Sequence, residues 1–243
     1  MNANAMKRRL LVLLFAPLTA LAATVGAPLD KAPDIQGDQE RLQNGARLFV
    51  NYCLNCHGMS FVRYARLTEL GISRQLVEHN LMFTADKIGE TMHIAARPAE
   101  QKKWFGVMPP DLSLVARARA SERGSGADWL YTYLRTFYRD PNKATGWNNL
   151  EFPDVAMPHV LWELQGEQVF DHEENRLRPG AAAGQLSAAE YDRDVADLVG
   201  FLVWAAEPSA GFRKQVGIGV LTFLFILLGI SYALKQAFWK DVK

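Results

Sequence analysis

The stretch Cys53-Leu54-Asn55-Cys56-His57 decides how the rest of this sequence is interpreted. Two thiols three positions apart, followed directly by a histidine, form the pattern that attaches a c-type haem. The thiols add across the two vinyl groups of the porphyrin, and the adjacent histidine reaches the iron from the proximal side. The sequence therefore predicts one covalently attached haem c, held by Cys53, Cys56 and His57, with His57 as an iron ligand.

Other uses of a Cys-x-x-Cys pair fit the sequence less well. A thioredoxin-like redox site needs a βαβ setting, which the sequence around Cys53 does not indicate. A structural zinc site needs four ligands, whereas the chain has two cysteines in all. A disulfide between Cys53 and Cys56 is the remaining alternative for a protein outside the cytoplasm.

The second axial ligand of the iron must come from elsewhere in the chain. A methionine thioether opposite a histidine is typical of electron-transfer cytochromes. Met108 and Met157 are each followed by proline, which favours a stiff, extended loop, and spacing alone leaves the two equally placed. The other methionines outside the first residues fit less well, being too close to the motif or in helix-like stretches suited to core packing: Met59, Met82 and Met92. The histidines outside the motif are expected to be surface or structural residues: His79, His93, His159 and His172.

The N-terminus has the pattern of a secretory signal peptide. Lys7-Arg8-Arg9 precedes an apolar run from Leu10 to Leu21, and small residues follow at Ala20 and Ala22. The run is interrupted by Pro17 and is shorter than the ~20 residues that span a bilayer. We therefore predict a signal peptide at residues 1–22 and export of the chain after it.

The C-terminus predicts a single membrane anchor. Residues 216–234 contain no charge, and as a helix at about 1.5 Å per residue they would approach the thickness of the bilayer core. With the export signal, this predicts a periplasmic haem domain at residues 23–211, an anchor helix at 212–235 and a short cytoplasmic tail at 236–243. The protein is then expected in the inner, cytoplasmic membrane as a single-pass protein.

The predicted periplasmic domain is acidic, although the whole chain has a net charge of +1. Residues 23–211 contain nineteen Lys and Arg against twenty-five Asp and Glu, a net charge of about −6. This excess of acidic residues argues against nucleic-acid binding and favours a basic partner at the surface.

Helical patterns dominate the predicted secondary structure. Apolar periodicity predicts a helix from Gln39 to Tyr52 that runs into the haem motif, and a second helix from Asp128 to Tyr138. A third begins at a capping box formed by Ser187 and Glu190. No alternation of period two lasts long enough to predict a sheet, and residues 139–186, rich in Pro, Gly and Asn, are expected to form long ordered loops. The fold class is therefore mainly α.

Four segments of the chain resemble the cytochrome c1 family. They are residues 42–67 around the haem motif, Trp104–Ala120, Val155–Pro158, and residues 201–217 leading into the anchor. They occur in the family's order. The resemblance implies a class I cytochrome c-like haem domain with long loop insertions, plus one C-terminal transmembrane helix.

The resemblance also implies roles for individual residues. It places the axial methionine at Met157, and it makes Met108 a pocket-lining residue in the segment that contains Pro110. The second arginine of the pair Arg117 and Arg119 corresponds to the one that binds a haem propionate. A guanidinium fork suits a carboxylate in such a partly buried site.

The function implied by the resemblance is electron transfer within a quinol–cytochrome c reductase. A Rieske iron–sulfur protein would deliver an electron, a soluble or tethered cytochrome c would remove it, and a cytochrome b subunit would lie beside the anchor in a dimeric complex. The chain by itself is expected to be a carrier without catalytic residues. The alternatives are a free-standing membrane-anchored c-type cytochrome or oxidase haem subunit, a haem enzyme or gas sensor with an open sixth position, and a scaffold with a redox-inactive haem.

Overall fold

A computed structural model describes residues 28–94 and 96–240 of the chain, so the predicted signal peptide lies outside the described residues. The described α-helices are α1 Gln39–Leu48, α2 Arg74–Asn80, α3 Pro98–Phe105, α4 Val115–Ala118, α5 Gly126–Arg135, α6 Trp162–Gln165, α7 Ala188–Ala206 and α8 Ala210–Trp239. A π-helical turn covers Phe49–Cys53, and a 3₁₀ helix covers Tyr64–Leu70. The strands are β1 Met59–Arg63, β2 Thr91–Met92, β3 Phe137–Arg139, β4 Trp147–Asn149, β5 Gly166–Asp171 and β6 Arg176–Ala183.

Helix α1 carries the chain into the haem motif. It begins at the N-cap Asp38, whose carboxylate accepts a hydrogen bond from the Arg41 amide at 3.2 Å. Its last turn continues without a break into the π-helical turn that ends at Cys53. The predicted helix from Gln39 to Tyr52 is confirmed, and its wider final turn brings the first cysteine to the end of a rigid element.

Helices α1 and α7 pack closely and form the centre of the core. A Cβ atom at Gly45 would lie 2.1 Å from the Asp197 carbonyl oxygen, so the two backbones meet at a distance that only glycine allows. Phe49 and Phe201 contact each other across the same interface with ring centroids 5.6 Å apart. The buried Asp197 carboxylate accepts a hydrogen bond from Arg41 at 2.6 Å. The haem motif is thus anchored to α7, the longest described helix apart from α8.

Helix α5 differs in part from its prediction. It begins at Gly126 behind a capping box of Ser125 and Asp128, and it ends at Arg135. The predicted end at Tyr138 is wrong, because Phe137–Arg139 pairs with β4 as a strand. The buried Tyr191 hydroxyl donates to the Leu134 carbonyl at 2.8 Å and ties α5 to α7.

Helix α7 begins as predicted. Ser187 is its N-cap, and Ser187 and Glu190 form both hydrogen bonds of the capping box. The helix then buries apolar residues along most of its length and ends at Ala206 before Pro208.

The expectation of no sheet was wrong. Strands β4, β3, β5 and β6 form one sheet in that order, and β1 and β2 form a two-stranded one. Strand β3 pairs antiparallel with β4 and parallel with β5, while β5 and β6 form an antiparallel hairpin. The segment 139–186, expected to be loops, therefore contributes most of the larger sheet together with α6.

Helix α8 is the one helix of the described residues that is long and apolar enough to cross a membrane, judged by length and composition. It covers Ala210–Trp239 and has no buried residues. Three residues, Glu207–Ser209, connect it to α7, and Arg213 forms an ion pair with Glu207 across this junction.

Candidate haem site

The two cysteines of the motif lie where α1 ends. The amides of Cys56 and His57 donate to the Cys53 carbonyl at 3.0 and 2.8 Å, so the chain turns tightly between the two thiols. Both cysteines are free, and no disulfide joins them. Burial, and to a lesser extent the neighbouring Cys56, raises the pKa of Cys53 to about 12, and burial also raises the pKa of Cys56. Both side chains are therefore protonated thiols at neutral pH.

The imidazole of His57 is oriented by one hydrogen bond. Its Nδ1 donates to the Pro110 carbonyl oxygen at 2.7 Å. Burial is the largest influence on this ring and lowers the pKa of His57, against the opposing effects of that hydrogen bond and of Asp111. A neutral ring with its proton on Nδ1 presents the Nε2 lone pair, which is the arrangement a metal ligand needs.

The segment after Pro110 is attached to the residues just beyond the motif. The Asp111 carboxylate accepts hydrogen bonds at 2.7 Å from both the amide and the hydroxyl of Ser60, and at 2.8 Å from the Ser113 amide. Burial by itself would raise the pKa of Asp111, but these hydrogen bonds outweigh it and lower the pKa. The Leu112 amide also donates to the Gly58 carbonyl at 2.9 Å. These contacts hold the Pro110 carbonyl against the histidine.

Met108 and Met157 have different surroundings. Met108 lies two residues before Pro110, and 56% of it is exposed. Met157 packs partly buried against the core, and its Sδ accepts a hydrogen bond from the Tyr133 hydroxyl at 3.3 Å. Met92 is fully buried and Met82 partly buried in the core, which confirms the packing role expected for both.

Two buried asparagines at the end of β4 shape the loop that leads to Met157. The Asn149 side-chain oxygen accepts hydrogen bonds from the amides of Glu151 and Phe152 at 2.9 and 3.0 Å, and its amide group donates to the Tyr133 carbonyl at 2.7 Å. Asn148 accepts from the Asp154 amide at 2.9 Å. The loop is therefore fixed by side chains rather than by regular secondary structure.

The other end of this loop is held by His159. Its ring is buried, forms a 2.6 Å hydrogen bond between Nε2 and Gln165 Oε1, and stacks on Phe137 with centroids 4.9 Å apart. Burial is also the main cause that lowers the pKa of His159 to about 4, so the ring is neutral. The structural role expected for His159 fits this environment.

One cavity lies between the haem motif and the segment that follows Met157. It measures about 390 Å³ and is lined on one side by Tyr52, Asn55 and Cys56, and on the other by Pro158 and His159, with further residues from both segments. The residue after Met157 thus faces the same space as the second cysteine of the motif.

Arg119, the predicted propionate ligand, lies on the Met157 side. Its guanidinium carbon is 4.2 Å from the Trp129 ring centroid and 5.5 Å from that of Phe152. Trp129 in turn stacks on Tyr133 at 4.8 Å with an interplanar angle of 12°. Arg119, Trp129 and Tyr133 therefore form a continuous layer that ends at the Met157 sulfur.

These residues fit a haem c. Two free thiols, an oriented imidazole and a thioether lie on segments that meet at one cavity. Large apolar side chains in the stretches of sequence around Pro110 and Met157 are exposed, as expected where an apolar macrocycle packs: Trp104, Phe105, Val107, Leu114, Leu150, Phe152 and Trp162. Among the described residues, no group of three or more His, Cys, Asp or Glu side chains is arranged to hold a metal ion by itself.

Sequence reasoning missed two contributors to the site. Tyr133 bonds the methionine from a position 24 residues away, and Gln101, itself buried, donates to the Cys56 carbonyl at 3.0 Å. Each is a polar residue within a helix, and nothing in the sequence indicated its burial or its partner.

Comparison with known proteins gives concordant matches. A model of the Cytochrome C1 family matches residues 33–242. A protein of Nitrosomonas europaea named ammonia monooxygenase gamma subunit is 48% identical over 96% of this chain and 97% of its own length. The cytochrome c1 of Allochromatium vinosum is 42% identical over 95% of this chain and 96% of its own. A protein of Bradyrhizobium diazoefficiens named cytochrome b/c1 is 29% identical over 84% of this chain, which corresponds to 34% of that longer protein.

Proposed function

The chain belongs to the cytochrome c1 family, and on that premise we propose that it accepts electrons from a Rieske iron–sulfur protein and passes them to a cytochrome c. Family membership makes it an electron-transfer subunit of a cytochrome bc1 complex that carries a covalently bound haem c. The apolar helix α8 gives it a membrane anchor. The observation that carries the function is the family match over residues 33–242, which includes both the haem motif and the anchor.

We assign Cys53 and Cys56 as the attachment residues and His57 and Met157 as the axial ligands. The haem held there supplies a one-electron couple at its iron. The orientation of His57 by Pro110 and the partly buried thioether of Met157 support this ligand pair. Met108 is two residues from the Pro110 carbonyl that bonds His57 Nδ1, whereas the iron would be held by Nε2, so the Met108 segment lies on the other side of the imidazole.

Arg119 and Pro110 complete the proposed binding residues. A guanidinium held over an aromatic ring keeps planar N–H donors that match a carboxylate such as a propionate. Pro110 contributes its carbonyl to His57, which fixes the ring tautomer.

The proposed topology rests on the charge and apolar patterns. Residues 1–22 act as a signal peptide, 23–211 form the periplasmic head, 212–235 form the span within the longer helix Ala210–Trp239, and 236–243 remain in the cytoplasm. This places the protein in the inner membrane.

The remaining partners are supported by composition and by one relative. The name cytochrome b/c1 of the Bradyrhizobium protein joins the two subunits, which supports cytochrome b as the neighbour of α8. The acidic head, with a net charge of about −6 over residues 23–211, favours a basic cytochrome c. We propose that the whole complex is dimeric, as in the family.

A second candidate comes from the Nitrosomonas relative, whose name describes a subunit of an ammonia monooxygenase. Its 48% identity over nearly the whole chain favours this assignment as an alternative. A subunit of such an oxygenase would purify with that enzyme rather than with a quinol-oxidising complex.

The test is a mild detergent extraction of membranes followed by affinity purification of the tagged full chain. Quinol is added, and reduction of the c-type haem is followed with and without a quinol-site inhibitor. We expect inhibitor-sensitive reduction, with b-type haem and a Rieske cluster in the same fraction. A Cys53→Ala/Cys56→Ala variant serves as the control that the signal comes from this chain's haem.

Other results would redirect the assignment. Purification with oxygenase subunits would support the second candidate. A chain that purifies alone and ignores quinol, yet accepts electrons from another cytochrome, would indicate a free-standing carrier.

A further inference from the structure

The hydroxyl of Tyr133 has an unusual partner for a buried phenol. Tyr133 is 8% exposed, and within the described part of the chain its hydroxyl forms one hydrogen bond, to Met157 Sδ at 3.3 Å. A thioether sulfur is a weak acceptor, so it offsets little of the cost of removing a hydroxyl from water. Phenylalanine would fill the same space without that cost. The hydroxyl is therefore poorly explained by stability and well placed to act on the sulfur.

The ring that carries this hydroxyl is held by two aromatic neighbours, and its backbone by a third residue. Trp129 stacks on one face at 4.8 Å, and Phe137 meets the ring edge-on with centroids 5.0 Å apart. The Tyr133 carbonyl is bonded by the Asn149 side chain at 2.7 Å, the same side chain that shapes the Met157 loop. Tyr133 and Met157 are thus fixed to each other through both backbone and side chain.

We propose that Tyr133 is a positioning residue for the axial sulfur and raises the reduction potential of the haem through its hydrogen bond to Met157. The proposal rests on the assignment of Met157 as axial ligand. The donated hydrogen engages one lone pair of the sulfur and leaves the other for the iron. It also directs the positive end of the O–H dipole at the sulfur that would hold the iron. Since the oxidised iron carries one more positive charge than the reduced iron, this dipole favours the reduced state.

The test is a potentiometric titration of the full chain in its membrane complex, comparing wild type with Tyr133→Phe. Phenylalanine keeps the ring and its stacking and removes only the hydroxyl. At the potential where wild-type haem is half reduced, we expect the ratio of reduced to oxidised haem to fall about three- to fivefold, the range that part or all of one net hydrogen bond provides. The sulfur-to-iron charge-transfer band of the oxidised haem should also shift.

Tyr131→Phe is the matched control, because it removes a hydroxyl from the same helix at a similarly buried position where the ring contacts Arg135. Tyr131→Phe should leave both the ratio of reduced to oxidised haem and the charge-transfer band unchanged. In a Met157→Leu background, Tyr133→Phe should produce no further fall in the ratio. A further fall there would overturn the proposal, because the effect would not act through the sulfur.

The Met157→Leu variant separates the ligand assignment from the role of Tyr133. If it opens the iron to carbon monoxide while Tyr133→Phe behaves like Tyr131→Phe, the ligand assignment stands and the role of Tyr133 is wrong. If it leaves the iron closed, the ligand assignment fails and the role of Tyr133 fails with it.

Discussion

The His57 side and the Met157 side of the haem site are held by different kinds of structure. On the first, a helix, its π-helical end and one adjoining segment place the cysteines and histidine, with the exposed Asp111 and the buried Gln101 as side-chain supports. On the second, a loop is fixed by buried side chains from β4, α5 and α6. The two cysteines and the histidine lie within five consecutive residues, but the supports of both sides come from elsewhere in the chain. These supports differ in burial, because Asp111 is exposed and Asn149 is buried.

This difference has an energetic consequence. Removal of an exposed support leaves groups that water can still solvate, while removal of a buried one leaves polar atoms without partners. Substitution of the buried Asn149 should therefore cost more stability than substitution of the exposed Asp111.

The largest effect should come from Met157, the proposed axial ligand. We expect Met157→Leu to lower the haem midpoint potential by on the order of 0.1 V, within the roughly 0.8 V over which axial ligands set haem potentials, and to let carbon monoxide bind the reduced iron. Met108→Leu should change neither. Potentiometric titration and carbon monoxide difference spectra provide the measurements. The reverse pattern would move the sixth ligand to Met108 and remove the basis of the comparison.

The next largest effect tests the buried support of the methionine loop. Asn149→Ala should lower the free energy of unfolding by about 2–3 kcal/mol, because the amides of Glu151 and Phe152 and the Tyr133 carbonyl lose a buried partner. Chemical denaturation of the detergent-solubilised protein measures this. Asn51→Ala, at an exposed asparagine on the histidine side, is the control and should cost under about 0.5 kcal/mol. Equal losses in the two variants would contradict the view that burial distinguishes the sides.

A smaller effect is expected at the support of the histidine side. Asp111→Ala removes the acceptor for the Ser60 and Ser113 amides, but the site is exposed and water replaces it in part, so we expect a loss of about 1 kcal/mol. The same denaturation experiment applies, with Asp111→Asn retaining one acceptor oxygen and an intermediate stability. A loss larger than that of Asn149→Ala would reverse the proposed ranking.

An effect at neutral pH no larger than that of Asp111→Ala is expected at Asp128, in the first turn of α5. Burial alone would raise the pKa of Asp128, but hydrogen bonds from Lys31, the Ala32 amide and Ser125 outweigh it and lower the pKa to about 2. Because the folded pKa lies below the ordinary value of 3.8, the carboxylate stabilises the fold above about pH 4 and loses this contribution as pH falls towards 2.

Asp128→Asn should therefore cost about 1 kcal/mol at pH 7, in the range of a lost helix cap, and should flatten the decline in stability between pH 4 and 2. Unfolding free energies measured across this interval provide the test. Parallel pH curves for wild type and variant would show that Asp128 does not carry this acid sensitivity.

The helices that local sequence patterns specify were predictable, whereas the strands, which depend on pairing with other strands, were not. The capping box at Ser187 and the helix entering the haem motif are confirmed because each is encoded within a few turns of chain. The sheet was missed because β3 and β4 are three residues each, and β6 contains Pro179 and small residues without alternation. Strands this short take their conformation from their neighbours, so periodicity cannot reveal them.

The candidate site divides in the same way. The cysteines and His57 were evident from five consecutive residues, whereas composition and spacing did not separate Met157 from Met108 without the family resemblance. The contact between Tyr133 and Met157 arises because α5 and the loop after β4 are folded together, and it leaves no trace in the local sequence of either.

The three-residue junction Glu207–Ser209 determines how far the haem domain extends from the bilayer. It folds as a turn closed by a hydrogen bond from the Ala210 amide to the Glu207 carbonyl at 3.1 Å, so α8 begins directly after the end of α7. A protein that exchanges electrons with this haem domain would therefore meet it close to the membrane. A carrier confined to the same membrane searches an area rather than a volume, so its path to each encounter is shorter. The short junction between α7 and α8 therefore influences how fast electrons are exchanged.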